Sequence, residues 1–109
     1  IKEVVLMPRE KFVTLTEAMF YILICLQKEC CGTDIMQQVH DMTDGRVRIG
    51  PGTLYNLLDQ FLKNKMIQET GVLGRRKNYQ ITQYGKELLD LEYKRIKQLA
   101  KDYERSMIQ

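Results

Sequence analysis

Hydrophobic positions along this chain recur at helical spacing in four stretches and alternate with polar positions in short stretches between them. The first helical stretch begins after Thr14 or Thr16, either of which can cap it, and ends near Leu26. Its apolar positions cover nearly the whole circumference, so we expect this helix to be buried on more than one face. In a chain of 109 residues, the second apolar face predicts contact with a partner subunit.

Two amphipathic helices are predicted next, the first of them shorter than the helix before it. Gly32 interrupts the chain, and Thr33 is a suitable cap for a helix over residues 34–42. Residues 46–49 follow a turn signal and alternate as a short extended segment does. Pro51 suits the first turn of a third helix, predicted over Pro51–Asn64. The core side of this helix carries Leu54, Leu57, Leu58, Phe61 and Leu62, and its other side carries Thr53, Asn56, Gln60 and Lys63, with Tyr55 and Asp59 beside them.

A β-hairpin and a long terminal helix complete the predicted fold. The strands are expected over residues 66–70 and 77–81, and Thr82 can cap the last helix, which runs to near the end of the chain. A seam with the 4-3 spacing of a coiled coil follows that helix: Leu89, Tyr93, Ile96, Ala100, Tyr103 and Met107. We expect this seam and Phe20 of the first helix to form a dimer interface; the alternative is that the seam packs back on its own domain.

Positive charge is concentrated in the middle of the chain. The net charge is only +3, but residues 45–80 hold 7 cations and 2 anions, whereas residues 1–44 hold 4 cations and 7 anions. Three consecutive cations, Arg75 to Lys77, fall near the tip of the predicted hairpin. A polar helix followed by a basic hairpin is the layout of a winged helix-turn-helix, so double-stranded DNA is the expected partner. The alternative is a basic surface that only contacts solvent.

The candidate DNA-binding residues lie in the third helix, the segment before it and the hairpin. Asn56 can pair with adenine through its amide, and Lys63 can contact a phosphate. Tyr55 can donate its hydroxyl to a phosphate or pack inside the domain, and both interpretations remain open. The remaining candidates contact the backbone or allow its close approach: Gly52, Thr53, Arg46, Arg48, Arg75, Arg76 and Lys77.

Other classes of function find little support in the sequence. The chain has one histidine, no Ser/His/Asp or Cys/His arrangement and no glycine-rich loop that opens a helix, so we expect no enzyme and no cofactor. The longest apolar run, residues 18–26, is too short to cross a bilayer, and no signal peptide precedes it, so a cytoplasmic protein is expected.

The three cysteines do not form a recognisable framework. Cys25 lies in the apolar run and is expected in the core, whereas Cys30 and Cys31 lie near a turn and could be more exposed. No metal-ligand spacing includes them or His40. Redox sensing by the Cys30–Cys31 pair is a minor alternative, because neither thiol has an obvious cationic neighbour in the sequence.

Several motifs together resemble the PadR-type transcriptional regulators, over roughly residues 14–105. The most specific are Gly52-Thr53-Leu54-Tyr55 and the segment Arg76-Lys77-x-Tyr79-x-Ile81-Thr82-x-x-Gly85. The short length is similar to that of the compact subfamily, which has a single C-terminal helix. The sequence departs from the family at Asn56, where members commonly have proline, and in residues 61–65, which lack the usual glycine.

The resemblance implies a homodimeric bacterial repressor of a nearby promoter, often released by a small molecule. Some compact members bind flat aromatic drugs between their terminal helices on a tryptophan, which this chain lacks. Phe20, Tyr93 and Tyr103 could line a smaller pocket for an aromatic effector, although we expect them to pack at the dimer seam. The operator, the regulated genes and the effector do not follow from the sequence.

We therefore predict a mainly α protein with a small β-hairpin. Its parts are an N-terminal arm (1–13), a winged helix-turn-helix domain (14–82) and a C-terminal dimerisation helix (83–109). The predicted function is that of a homodimeric, sequence-specific DNA-binding regulator that acts as a repressor on an inverted-repeat operator. The alternative is a winged-helix module for protein–protein interaction that does not bind specific DNA.

Overall fold

The computed structural model describes residues 14–74 and 76–108. These residues form four helices and one antiparallel sheet with the strand order β1-β3-β2. The elements are α1 (Glu17–Cys25), β1 (Cys30–Cys31), α2 (Gly32–Met42), α3 (Pro51–Lys63), β2 (Ile67–Leu73), β3 (Arg76–Ile81) and α4 (Gln83–Ser106). The predicted fold class, a mainly helical winged helix-turn-helix with a long terminal helix, is confirmed. The predicted N-terminal arm lies outside the described residues.

One continuous core joins the helices to the sheet. The predicted core side of α3 is buried, with Leu54 and Phe61 fully enclosed, and α1 contributes Ile22, Leu23 and Leu26. Ile67 and Ile81 cover this core from the two long strands, where they pair with each other. Burial of these side chains fixes the rotation of α1 and α3 about their axes. Each apolar side chain that a rotation exposed would reduce the free energy of unfolding by about 1.5–3 kcal/mol.

Threonine caps begin the first and last helices. The Thr16 hydroxyl accepts a hydrogen bond from the Met19 amide (3.2 Å), and the Thr82 hydroxyl accepts one from the Gly85 amide (3.1 Å). The predicted cap at Thr33 is wrong. The helix already begins at Gly32, because the preceding residues pair with β3 and leave Cys31 in the cap position. The Cys31 side chain accepts no capping hydrogen bond from a backbone amide of the helix, although its sulfur lies 3.4 Å from the Thr33 hydroxyl.

The sheet is larger than the predicted hairpin. Strand β2 continues to Leu73 and β3 begins at Arg76, so the connection is shorter than expected. The register shifts between Glu69 and Gly71, which is the irregularity of a β-bulge. The third strand, β1, was not predicted because two residues are too few to show a periodic pattern.

The predicted turn is present at Asp44 and Gly45, whereas residues 46–49, predicted as a short extended segment, form a bend and irregular backbone without strand pairing. Asp44 and Gly45 have positive φ angles of 52° and 75°. The Thr43 hydroxyl accepts a hydrogen bond from the Val47 amide (3.1 Å) and lies 3.3 Å from the Val47 carbonyl oxygen. Because this side chain satisfies the backbone locally, the segment needs no strand partner.

The first half of α4 is anchored to the domain. A Cβ at Gly85 would collide with the carbonyl oxygen of Met66, so only glycine permits this close approach of helix and strand. Leu88 and Leu89 are buried nearby. The carboxylate of Glu92, only 3% exposed, accepts hydrogen bonds from the Leu15 amide (3.2 Å) and from both ends of the Arg95 guanidinium. Beyond this point, α4 leaves the domain.

The hydrogen bonds of Glu92 attach α4 to the domain in a pH-dependent way. The hydrogen bonds from Arg95 lower the pKa of Glu92 below its ordinary value of 4.5, against the effect of burial, and the Leu15 amide adds to the lowering. Because the folded-state pKa is depressed, this contribution to stability is present above pH 4.5 and is lost as the pH falls through the folded-state value.

We expect Glu92→Gln to lower the free energy of unfolding at pH 7 by about 2 kcal/mol, because a charge-assisted pair is lost. The difference from the wild type should shrink as the pH falls from 4.5 through the lowered pKa of folded Glu92, below which the wild-type carboxyl is also neutral. Urea denaturation at a series of pH values measures this. The exposed Asp90, paired with Lys94 on the same helix, provides the control: Asp90→Asn should change stability by less than about 0.5 kcal/mol. A pH-independent difference for Glu92→Gln contradicts the assignment.

Candidate nucleic-acid interface

The side of α3 opposite the core forms an exposed polar row. Asn56, Asp59 and Lys63 follow one another at spacings of three and four residues, which places them along one face of the helix. All three are exposed, and none of their side chains makes a hydrogen bond or an ion pair with another described residue. Gln60, half-buried, lies to the side of this row. The row therefore presents unengaged donors and acceptors to a partner outside the chain.

The start of α3 is open to close approach. Gly50 occupies the cap position without a side-chain cap, so the first amides of the helix have no intrahelical partner. A Cβ at Gly50 or Gly52 would meet nothing within 4 Å, so packing within the described chain does not require glycine there. Thr53 is exposed beside them. A phosphate could therefore bind at this end of the helix. The free amides and the Thr53 hydroxyl would donate hydrogen bonds to it, and the glycines leave room for its approach.

Tyr55 packs between α3 and the start of α2. A Cβ at Gly32 would lie 2.5 Å from the Tyr55 hydroxyl oxygen, so glycine is required for this packing. The Tyr55 side chain remains 44% exposed and lines an open concavity of about 480 Å³ between α3, the start of α2 and β3. Both interpretations of Tyr55 therefore stay open. The side chain packs inside the subunit, and its exposed part is accessible from the concavity.

The cations of the wing, the hairpin formed by β2 and β3, border the same concavity. Arg76 lies 3.4 Å from the Cys31 sulfur and 3.9 Å from an Asp34 carboxylate oxygen, and Lys77 lies 3.7 Å from Glu69. These pairs are long and exposed, so each contributes little and can be exchanged for a phosphate. Arg75 lies outside the described residues.

Arg46 and Arg48 are held within the subunit. Arg46 donates to Glu17 (2.7 Å) and to the Tyr21 hydroxyl (3.0 Å), and its pKa is raised, mainly by the hydrogen bond to Glu17. The expected backbone contact by Arg46 would have to replace these bonds. Arg48 makes a weaker contact, 3.4 Å from its Nε atom to the Gly45 carbonyl oxygen, and remains exposed.

The predicted dimer residues divide between two environments. Leu89 is buried in the core of its own subunit, and Phe20 is half-buried. The others continue along the outer part of α4 to its C-cap and are exposed: Tyr93, Ile96, Ala100, Tyr103 and Met107. Leu99, 54% exposed, extends this surface, although the 4-3 spacing did not include it. A search of the sequence for a wider apolar face on this helix, instead of the strict 4-3 spacing, would have included Leu99.

Cys25 is buried as expected, but the other two cysteines are less exposed than the sequence suggested. Cys30 and Cys31 are both buried and form β1, the edge strand that pairs with β3. Burial raises the pKa of Cys25 to about 11 and also raises the pKa of Cys30. The structure brings Arg76 close to Cys31, a neighbour that could not be read from the sequence. Within the parts of the chain that the structure describes, no cluster of three or more His, Cys, Asp or Glu side chains could hold a metal ion.

Comparison with known proteins identifies the same fold and one family. A model of the transcriptional regulator PadR-like family matches residues 22–91. A transcriptional regulator from Clostridium thermocellum is 20% identical, with a TM-score of 0.72 over 84% of this chain and 97% of its own. A PadR family regulator from Clostridium difficile is also 20% identical, with a TM-score of 0.68 over 82% and 97%. No curated protein matches in sequence.

No helix of residues 14–74 and 76–108 has the length and hydrophobicity needed to span a membrane.

Proposed function

Because the chain belongs to the PadR-like family of transcriptional regulators, we propose that it is a homodimeric repressor that inserts α3 into the major groove of DNA. Family membership implies DNA-binding regulation of transcription. The observation that carries the finer proposal is the unengaged polar row of α3, which lies beside the cationic wing. In this arrangement the helix reads base edges, and the wing contacts the adjacent backbone.

Each candidate residue takes a role that fits its position. Asn56, at the N-terminal end of the polar row, pairs with an adenine, and Lys63 contacts a phosphate at the far end of the helix. Gly52 and Thr53 bind a phosphate at the open start of α3. Arg76 and Lys77 exchange their weak carboxylate partners for phosphates, together with Arg75. Arg46 and Arg48 contribute only if their bonds within the subunit open.

Replacing Arg76 and Lys77 with alanine should weaken binding to all DNA sequences. The slope of log affinity against log salt concentration should become shallower by about 0.9 for each phosphate that the variant no longer neutralises. Fluorescence anisotropy with specific and unrelated duplexes at several salt concentrations measures both quantities. Lys94→Ala on α4 removes an exposed cation outside this surface and is the control. An unchanged slope excludes the wing, and wild-type protein that binds no DNA favours the protein-interaction module.

The exposed stripe on α4 supports the homodimer. Five large apolar side chains on the outer part of α4 and at its C-cap are 40–66% exposed: Tyr93, Ile96, Leu99, Tyr103 and Met107. A contiguous apolar surface of this kind marks an interaction site. Two copies paired about a two-fold axis would each present α3 to DNA, so half-site centres about 10 bp apart are expected in an inverted-repeat operator.

A double substitution, Ile96→Glu with Tyr103→Glu, should dissociate the dimer, because it places four carboxylates in the apolar interface of the pair. Sedimentation equilibrium should then give the mass of one chain, and affinity for a two-half-site operator should fall more than about tenfold. Gln98→Glu adds a carboxylate to the exposed polar side of α4 and should leave the dimer intact. A double variant that stays dimeric places the interface elsewhere.

Relief by a small aromatic effector rests on a second concavity. It has a volume of about 370 Å³ between α1 and α4 and is lined by Phe20, Ile24 and Tyr93 among others. A flat aromatic ring can stack on these side chains, and Lys86 lies at the same site to pair with an anionic substituent. The test is the loss of operator affinity when anionic and neutral aromatic compounds are added. If no compound in a broad panel lowers affinity, the effector is removed from the proposal.

A further inference from the structure

Asp59 stands out in the polar row of α3. It is exposed between Asn56 and Lys63, and its carboxylate makes no hydrogen bond or ion pair with any described residue. Three other carboxylates of the domain are engaged: Asp34 lies near Arg76, Glu69 near Lys77, and Glu29 accepts a hydrogen bond from Thr70. Tyr79 lines the same concavity as Asp59, and the pKa of its phenol is raised mainly by burial and then by the charges of Glu69, Tyr55 and Asp59.

A structural role does not account for this carboxylate. Aspartate is a weak helix former, and Asp59 caps neither end of α3, which begins at Pro51 and ends at Lys63. It does not hold the wing, because the two described wing cations lie near other acceptors. On a surface that faces phosphates, an unpaired anion also lowers affinity for every sequence. A carboxylate that lowers general affinity can still favour one sequence over others by distinguishing one base from another.

We propose that Asp59 determines specificity by accepting a hydrogen bond from the N4 amino group of a cytosine; this inference rests on the proposed insertion of α3 into the major groove. In that groove guanine presents two acceptor atoms, and thymine presents one acceptor and a methyl group, so neither offers a donor to the carboxylate. Adenine offers an amino group but places its N7 acceptor next to it. Cytosine presents an amino donor and no acceptor at its edge in the major groove, so it is the base that suits a carboxylate best.

Helix geometry also predicts where the cytosine lies. Asp59 is three residues beyond Asn56, which corresponds to a rise of about 4.5 Å along the helix axis. Successive base pairs are about 3.4 Å apart. When α3 lies along the groove, Asp59 therefore faces the base pair next to the one that Asn56 contacts. Specificity for cytosine should appear at a position adjacent to the adenine, not several base pairs away.

The experiment is selection from randomised duplexes with wild-type protein, Asp59→Asn, Asp59→Ala and Asn56→Ala. We expect the wild type to select cytosine beside the Asn56-dependent adenine and both Asp59 variants to lose that cytosine preference by about tenfold or more. Both variants should also bind unrelated DNA more tightly than the wild type, because a repelling charge is removed. Glu87→Gln, which removes an exposed carboxylate from α4, is the control and should keep the consensus.

The outcomes separate the two proposals. If the wild type enriches no sequence, the proposed function itself fails. If the wild type enriches a sequence and the Asp59 variants enrich the same one, only the role of Asp59 is overturned. A cytosine preference that Asn56→Ala abolishes and the Asp59 variants keep also overturns it. Asp59 is exposed and makes no polar contact with the described chain, so thermal melting should show that both variants fold as the wild type does.

Discussion

Burial of one side of α3 is the constraint on which the rest of the structure depends. Leu54 and Phe61 are completely enclosed, and Leu58 is nearly so. A rotation of α3 about its axis would expose at least one of them, at a cost of several kcal/mol, whereas its outer side has no internal bonds to lose. The apolar core therefore decides which polar side chains face outward. Every role assigned to Asn56, Asp59 and Lys63 follows from that orientation.

The long elements were predictable because their periodicity is strong. The buried leucines of α3, the cap at Thr82 and the seam along α4 all follow from residue spacing alone. Short-range exceptions were not predictable. The strand Cys30–Cys31 is too short to show a period, and it displaced the predicted cap at Thr33 because the helix starts directly after the strand. Leu89 was assigned to the seam, but spacing does not reveal where α4 leaves the domain and its inner face becomes exposed.

The site was predictable in its residue types and less so in its contacts. Composition identified the basic segment and the polar helix, but not the neighbours of each cation. Arg46 was expected to face DNA, yet it bonds to Glu17 and Tyr21 more than twenty residues earlier in the chain. Arg76 lies beside Cys31 because β1 and β3 pair at Asn78. Such neighbours depend on tertiary packing between distant residues, which residue spacing does not encode.

Helix α1 connects two surfaces that are otherwise separate. Phe20 lines the concavity next to α4, and its ring stands edge-on to that of Tyr21, 6.1 Å away between centroids. The Tyr21 hydroxyl, in turn, accepts a hydrogen bond from Arg46, in the turn that leads to α3. Consecutive residues of a rigid helix move together. If a bound molecule displaced Phe20, the adjoining Tyr21 and its hydrogen bond to Arg46 would be displaced with it, and this bond holds the segment that leads to α3.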